Sequence, residues 1–112
     1  MIGQAKVEQA TIIKHGQLFI NMRCYMVRIN NKEIKLSPKE FKTLCLLARH
    51  PDWVFTKNEI YEKVYQNEKE NDVDNSIFCL IYSLRKKIES NPKQPKYIRT
   101  IRGVGYKFVN GE

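Results

Sequence analysis

The chain has 112 residues, with 20 Lys and Arg against 12 Asp and Glu, a formal net charge of +8. That length is one domain, and with 42% hydrophobic residues it can bury a core, which excludes a disordered tail. Three cysteines are too few for a disulfide scaffold, and no apolar run approaches the roughly 18 residues of a membrane span.

Met1 to about His15 shows no firm pattern, either a linker or a strand packed at the edge. Met1–Lys6 lacks the basic start and apolar block of a signal peptide, so the expected setting is the reducing cytoplasm, without membrane association. Gln17–Asn21 and Cys24–Ile29 are rich in β-formers, Asn30-Asn31-Lys32 is a turn signal, and Glu33–Leu36 alternates. These predict an antiparallel sheet of three or so strands. Ser37-Pro38-Lys39-Glu40 is a capping box with proline at the first helical position. Phe41, Leu44, Cys45 and Ala48 then form a helical stripe, which His50-Pro51 stops. Trp53-Val54-Phe55 is a short extended piece. Thr56-Lys57-Asn58-Glu59 repeats the capping box and opens a second helix with Ile60, Tyr61, Val64 and Tyr65 apolar. Gln66 to Asp72 is a polar loop. A third helix is predicted from about Val73 to Ser90, N-capped by Asp72, with Val73, Ile77, Leu80, Ile81, Leu84 and Ile88 on one face. Tyr97–Arg102, Gly103-Val104-Gly105 and Tyr106–Val109 read as a hairpin whose two glycines permit positive φ at the tip. The fold class is therefore α+β: a small N-terminal antiparallel sheet, three helices and a C-terminal hairpin.

Residues 83–112 hold eight basic groups and two acidic ones, so +6 of the net +8 lies in the last quarter of the chain. That concentration is an electrostatic footprint for a polyanion. With the apolar stripe of the third helix turned inward, Asn75, Ser76, Cys79, Tyr82, Ser83 and Lys86 face outward, flanked by Phe78 and Arg85. An aromatic pair on a face that should be polar fits either packing within the chain or contact with bases and thymine methyls. Arg85, Lys86 and Lys87 suit phosphate contact or complement the helix dipole. No enzymatic activity, cofactor or metal site is expected. His15 and His50 stand without spaced carboxylate or thiol partners, Cys24, Cys45 and Cys79 have no metal-ligand spacing, and Gly103-Val104-Gly105 is too short for a phosphate fingerprint.

Four segments in order carry a family resemblance. Leu36–Phe41 resembles the "L-T-P-x-E-F" opening of the OmpR/PhoB-type effector domain of bacterial response regulators. Pro51 with Val54–Ile60 is similar to its "P-x-x-V-x-S-R-x-x-L", Leu84–Ile88 to its "L-R-K-K-L", and Ile98–Phe108 to its "I-x-T-V-R-G-x-G-Y-x-F". The resemblance covers about residues 17–109. It implies a winged helix-turn-helix over 17–112, with residues 1–16 a linker or N-terminal extension. It implies a DNA-binding domain of a two-component transcription regulator, with the third helix in the major groove of double-stranded DNA. The outward face read above then places Asn75, Ser76, Cys79, Tyr82 and Ser83 at the major groove and Lys86 at a phosphate, and by matching Lys57, Tyr65, Arg85, Thr100 and Tyr106 fall on phosphates. Arg102 of the wing falls at the minor groove. The loop with Glu68, Lys69, Glu70 and Asp72 falls where members meet RNA polymerase. The resemblance further suggests a tandem homodimer on DNA and a receiver domain in a longer regulator.

The chain departs from the family in the reading helix. Members often carry arginines where this chain has Tyr82 and Ser83, and an acid where it has Phe78. Losing those arginines removes bidentate guanine contacts, each worth roughly 1–3 kcal/mol of discrimination. This predicts weaker sequence preference, a shift toward A·T, or dependence on a dimer. The alternative is a winged-helix domain turned to protein–protein interaction through Phe78 and Tyr82.

Overall fold

The computed structural model describes residues 11–66, 68 and 72–110. It opens with four strands, β1 (Ile12–His15), β2 (Leu18–Asn21), β3 (Met26–Ile29) and β4 (Lys32–Ile34), joined in order as an antiparallel meander. β1 pairs Ile13 with Ile20 and His15 with Leu18. The stretch without a firm sequence pattern thus contains an edge strand, and the sheet has four strands. At the β3–β4 turn both Asn30 and Asn31 have positive φ (54° and 65°), which asparagine tolerates and which suits a two-residue hairpin. Ile13, Leu18, Ile20 and Val27 bury one face of the sheet in the core.

Helix α1 (Pro38–Ala48) starts at Ser37, whose Oγ accepts from the Glu40 N–H at 3.2 Å while the Glu40 carboxylate accepts from the Ser37 N–H at 2.8 Å. Helix α2 (Lys57–Tyr65) starts on the same device at Thr56 and Glu59. Helix α3 (Val73–Ile88) is N-capped by Asp72, which accepts from the Asn75 N–H at 3.0 Å. Its inward face is the predicted one, with Ile77, Leu80, Ile81, Leu84 and Ile88 buried and Val73 packed against the core edge. The helix ends at Ile88, two residues short of the expected end. Glu89 is extended there (φ −92°, ψ 136°), and its buried carboxylate accepts from the backbone N–H groups of Lys96, Tyr97 and Ile98. The bonds from those three N–H groups fix the return of the chain into the wing.

The wing is β6 (Ile98–Ile101) and β7 (Gly105–Phe108), joined by β5 (Val54–Thr56) in a sheet of order β5-β7-β6. The predicted extended piece is thus the third strand of the wing sheet. Phe108, Ile98, Leu44, Leu47, Ile60 and Ile81 are among the fully buried side chains that tie wing and helices into one core. Each contributes roughly 1.5–3 kcal/mol by leaving water. The His15 ring packs on Phe108 at 4.9 Å and its Nε2 lies 3.2 Å from the Ala48 carbonyl, which joins the first sheet to α1 and the wing. Among the described residues, every buried side-chain nitrogen and oxygen has a hydrogen-bond partner.

Only one of the two wing glycines has the expected conformation. Gly103 has φ +77° with open space around it. Gly105 is not in the left-handed region. A Cβ there would sit 2.0 Å from the Phe55 carbonyl oxygen, so glycine is required for the close approach of β5.

Candidate nucleic-acid interface

α3 and the wing enclose an open cleft of about 440 Å³, floored by the start of α2. Its lining includes Lys57, Asp74, Phe78, Arg85, Arg102 and Tyr106. The helix wall is set by the Asp72 cap and the buried stripe, which turn Asn75, Phe78, Cys79, Tyr82 and Lys86 outward as exposed residues. Phe78 is 62% and Tyr82 55% exposed, so this aromatic pair is not packed within the domain. Ser76 is half-buried beside them. On the wing, Arg102 and Val104 are exposed around Gly103.

Several expected contact residues are hydrogen-bonded within the chain. Arg85 donates from Nε and Nη2 to the Ile98 carbonyl at 3.1 and 2.9 Å, and from Nη2 to Thr100 Oγ1 at 2.8 Å. Its guanidinium lies over the Tyr106 ring, 5.7 Å from the centroid. Burial lowers the Arg85 pKa, while Tyr106 and Glu89 push it back up. The residue is therefore a clamp between α3 and β6 at the back of the cleft, and Thr100 and Tyr106 are its partners there. Ser83 is half-buried and donates to Glu40 Oε2, so it does not join the exposed face. Lys87 donates to Glu40 Oε1 at 2.7 Å. Burial raises the Glu40 pKa, but the hydrogen bonds from Lys87, Ser83 and the Ser37 backbone outweigh it and hold it below the ordinary carboxylate value.

Lys57 lies at the cleft with Asp74 Oδ1 3.9 Å from its Nζ, and Lys86 Nζ stands 5.4 Å from the Tyr82 ring centre. Tyr65 lies at the other end of α2 from Lys57, half-buried, stacked on Tyr61 at 4.4 Å, with Lys39 over its ring. In the acidic loop, Glu68 pairs with Lys39 at 3.1 Å and Asp72 serves as the α3 cap. Lys69 and Glu70 lie outside the described residues. Cys45 is buried in the core, and Cys79 is exposed.

Reasoning from the sequence missed Glu40 as the junction of α1 and α3, and Glu89 as the acceptor that seats the wing. The capping box identified Glu40, but only as a local acceptor. Its partners Ser83 and Lys87 lie more than 40 residues away, beyond any local pattern.

Comparison with known proteins places this geometry. Residues 31–108 match the family model "Transcriptional regulatory protein, C terminal". The chain is 41% identical over 97 residues to the uncharacterized transcriptional regulatory protein YcbL of Bacillus subtilis (strain 168), covering 87% of this chain and 42% of that protein. The response regulator DrrB, a Thermotoga maritima OmpR/PhoB homolog, superposes with a TM-score of 0.83 at 31% identity, over 96% of this chain and 51% of that one. The RstA DNA-binding domain of Klebsiella pneumoniae, solved in complex with the RstA box, superposes with a TM-score of 0.80 at 27% identity, over 88% of this chain and 97% of that one. The chain spans less than half the length of YcbL. Its four-stranded sheet, three helices and C-terminal wing, with the family match over residues 31–108, show that it belongs to the C-terminal domains of transcriptional regulatory proteins, the OmpR/PhoB-type winged-helix class.

Proposed function

We propose that the chain is the double-stranded DNA-binding domain of a bacterial two-component transcription regulator. One observation carries this reading: the exposed face of α3 and the wing arginine Arg102 border the same open cleft, with Lys57 in its lining. A helix beside a cation-bearing hairpin can enter the major groove while the hairpin reaches the adjacent minor groove. In this arrangement Asn75, Ser76, Cys79 and Tyr82 face base edges, Lys57 and Lys86 neutralise phosphates, and Arg102 enters the minor groove. Arg85, Thr100 and Tyr106 brace the wing against the helix, and Thr100, which is exposed, also faces phosphate. Ser83 braces α1 in the same way. Tyr65 is more remote from this arrangement.

Finer parts of the reading rest on the family. The loop after α2, with Glu68 and Asp72 in its described part, is the surface proposed to meet RNA polymerase. In a longer regulator a receiver domain would control the module, and two copies would bind in tandem. The test is selection of bound sites from a random pool of double-stranded DNA, followed by affinity measurement with Arg102→Ala. The expected result is a recovered direct repeat and about a tenfold loss of affinity, ~1.4 kcal/mol. Retention of no DNA by the wild type, or indifference to Arg102→Ala, would overturn the reading.

A further inference from the structure

The exposed stretch of α3 has an unusual composition for a helix that reads DNA. Residues 73–84 contain no Lys or Arg. The first cation of the helix, Arg85, is held by the Ile98 carbonyl and Thr100 Oγ1. A bidentate arginine contact to guanine therefore has no donor on this stretch. An apolar strip stands in its place. Phe78 and Tyr82, one turn apart, are 62% and 55% exposed, and Phe78 lines the cleft together with Val104, which is 51% exposed.

Most of the charged groups bordering the strip are cations: Lys57 and Arg102 in the cleft lining, with Asp74 as one acid beside Lys57, and Lys86 over the Tyr82 ring. An apolar centre within a basic border matches a site whose walls are phosphate and whose floor carries a methyl group. In the major groove only thymine presents one. Asn75, one turn before Phe78 on the same face, is the side-chain type that pairs with the N6 and N7 edge of adenine. Duplex RNA fits less well, because its major groove is deep and narrow and uracil has no methyl.

Resting on the DNA-binding reading above, we infer that Phe78 is a specificity-determining residue whose ring contacts a thymine 5-methyl group, so that α3 selects A·T pairs at that step. The test replaces thymine by deoxyuridine, one position at a time, in the tightest site selected by the wild-type chain. Deoxyuridine keeps the hydrogen-bonding edge and removes only the methyl. At one or two positions the wild type should lose about fourfold in affinity, the value of one methyl group taken out of water. Phe78→Ala, at an exposed position that leaves the core intact, should bind the thymine site more weakly by a similar factor. It should no longer distinguish thymine from deoxyuridine at those positions. Equal wild-type affinity for thymine and deoxyuridine at every position would overturn this inference while leaving DNA binding standing. So would a Phe78→Ala chain that discriminates as the wild type does. Failure to retain any DNA would overturn the functional reading and this inference together.

Discussion

Glu40 shows how one side chain can belong to two levels of structure. It is 4% exposed, closes the capping box of α1, and accepts from Ser83 and Lys87 of α3. Removing it leaves those donors without their acceptor, so Glu40→Ala should lower unfolding free energy by about 2–3 kcal/mol. The pH dependence has a defined sign. The folded-state pKa is below the ordinary value of 4.5, so the carboxylate stabilises the fold fully above that value. The contribution is lost as pH falls through the depressed folded pKa. The stability difference between wild type and Glu40→Gln should therefore be constant from pH 7 to about 5 and shrink toward pH 3. Urea unfolding at both ends of that range checks it, and an unchanged difference would remove Glu40 from the account. The cysteines separate by the same physics. Burial pushes the Cys45 thiol up to about 12, only partly opposed by Arg49, whereas Cys24 and Cys79 are exposed. In the native protein at pH 8, a thiol reagent should modify Cys24 and Cys79 quickly and Cys45 only as the chain unfolds.

At the scale of the element, the wing glycines make different demands on the backbone. Gly103 has positive φ but open space, so Gly103→Ala should cost about 1–2 kcal/mol, the ordinary penalty of a left-handed residue with a Cβ. Gly105→Ala drives a Cβ into the Phe55 carbonyl and must push β5 away from β7, so it should cost more, about 3 kcal/mol or above. Thermal unfolding of the two variants checks the order, and a Gly103→Ala variant less stable than Gly105→Ala would contradict it. The pair also marks where the sequence was legible. Both glycines stand out in the hairpin pattern, but only the fold brings β5 from some 50 residues upstream against one of them. The starts of α1 and α2 could be read because a capping box is complete within four residues. The buried stripe of α3 could be read because its period is local. β1 has only Ile12-Ile13-Lys14-His15 to announce it, and its burial is decided by β2. The outward face of α3 was legible except for Ser76, which is half-buried, and for Ser83 and Arg85. The polar groups of Ser83 and Arg85 turn to Glu40, Ile98 and Thr100, partners far along the chain or on another element.

For the molecule as a whole, net charge and reading surface are separate resources. Of the net +8, +6 falls in residues 83–112, but Arg85 and Lys87 from that segment are paired within the fold. Total charge therefore overstates what faces DNA. The cations disposed around the reading face are Lys86, Arg102 and Lys57, whose pairing with Asp74 is long and solvent-exposed at 3.9 Å. If these three neutralise or replace counterions, each protomer should show a slope of log affinity against log salt of about −2.7 on duplex DNA. Lys57→Ala should make that slope shallower by about 0.9 and weaken selected and random sequences alike. Phe78→Ala should leave the slope unchanged while narrowing the gap between selected and random sequences, because an apolar contact releases no counterions. Titration of both variants across a range of salt separates the two roles. A Phe78→Ala chain with a shallower slope, or a Lys57→Ala chain that loses discrimination at unchanged slope, would show that affinity and specificity are not divided between cations and rings in this domain.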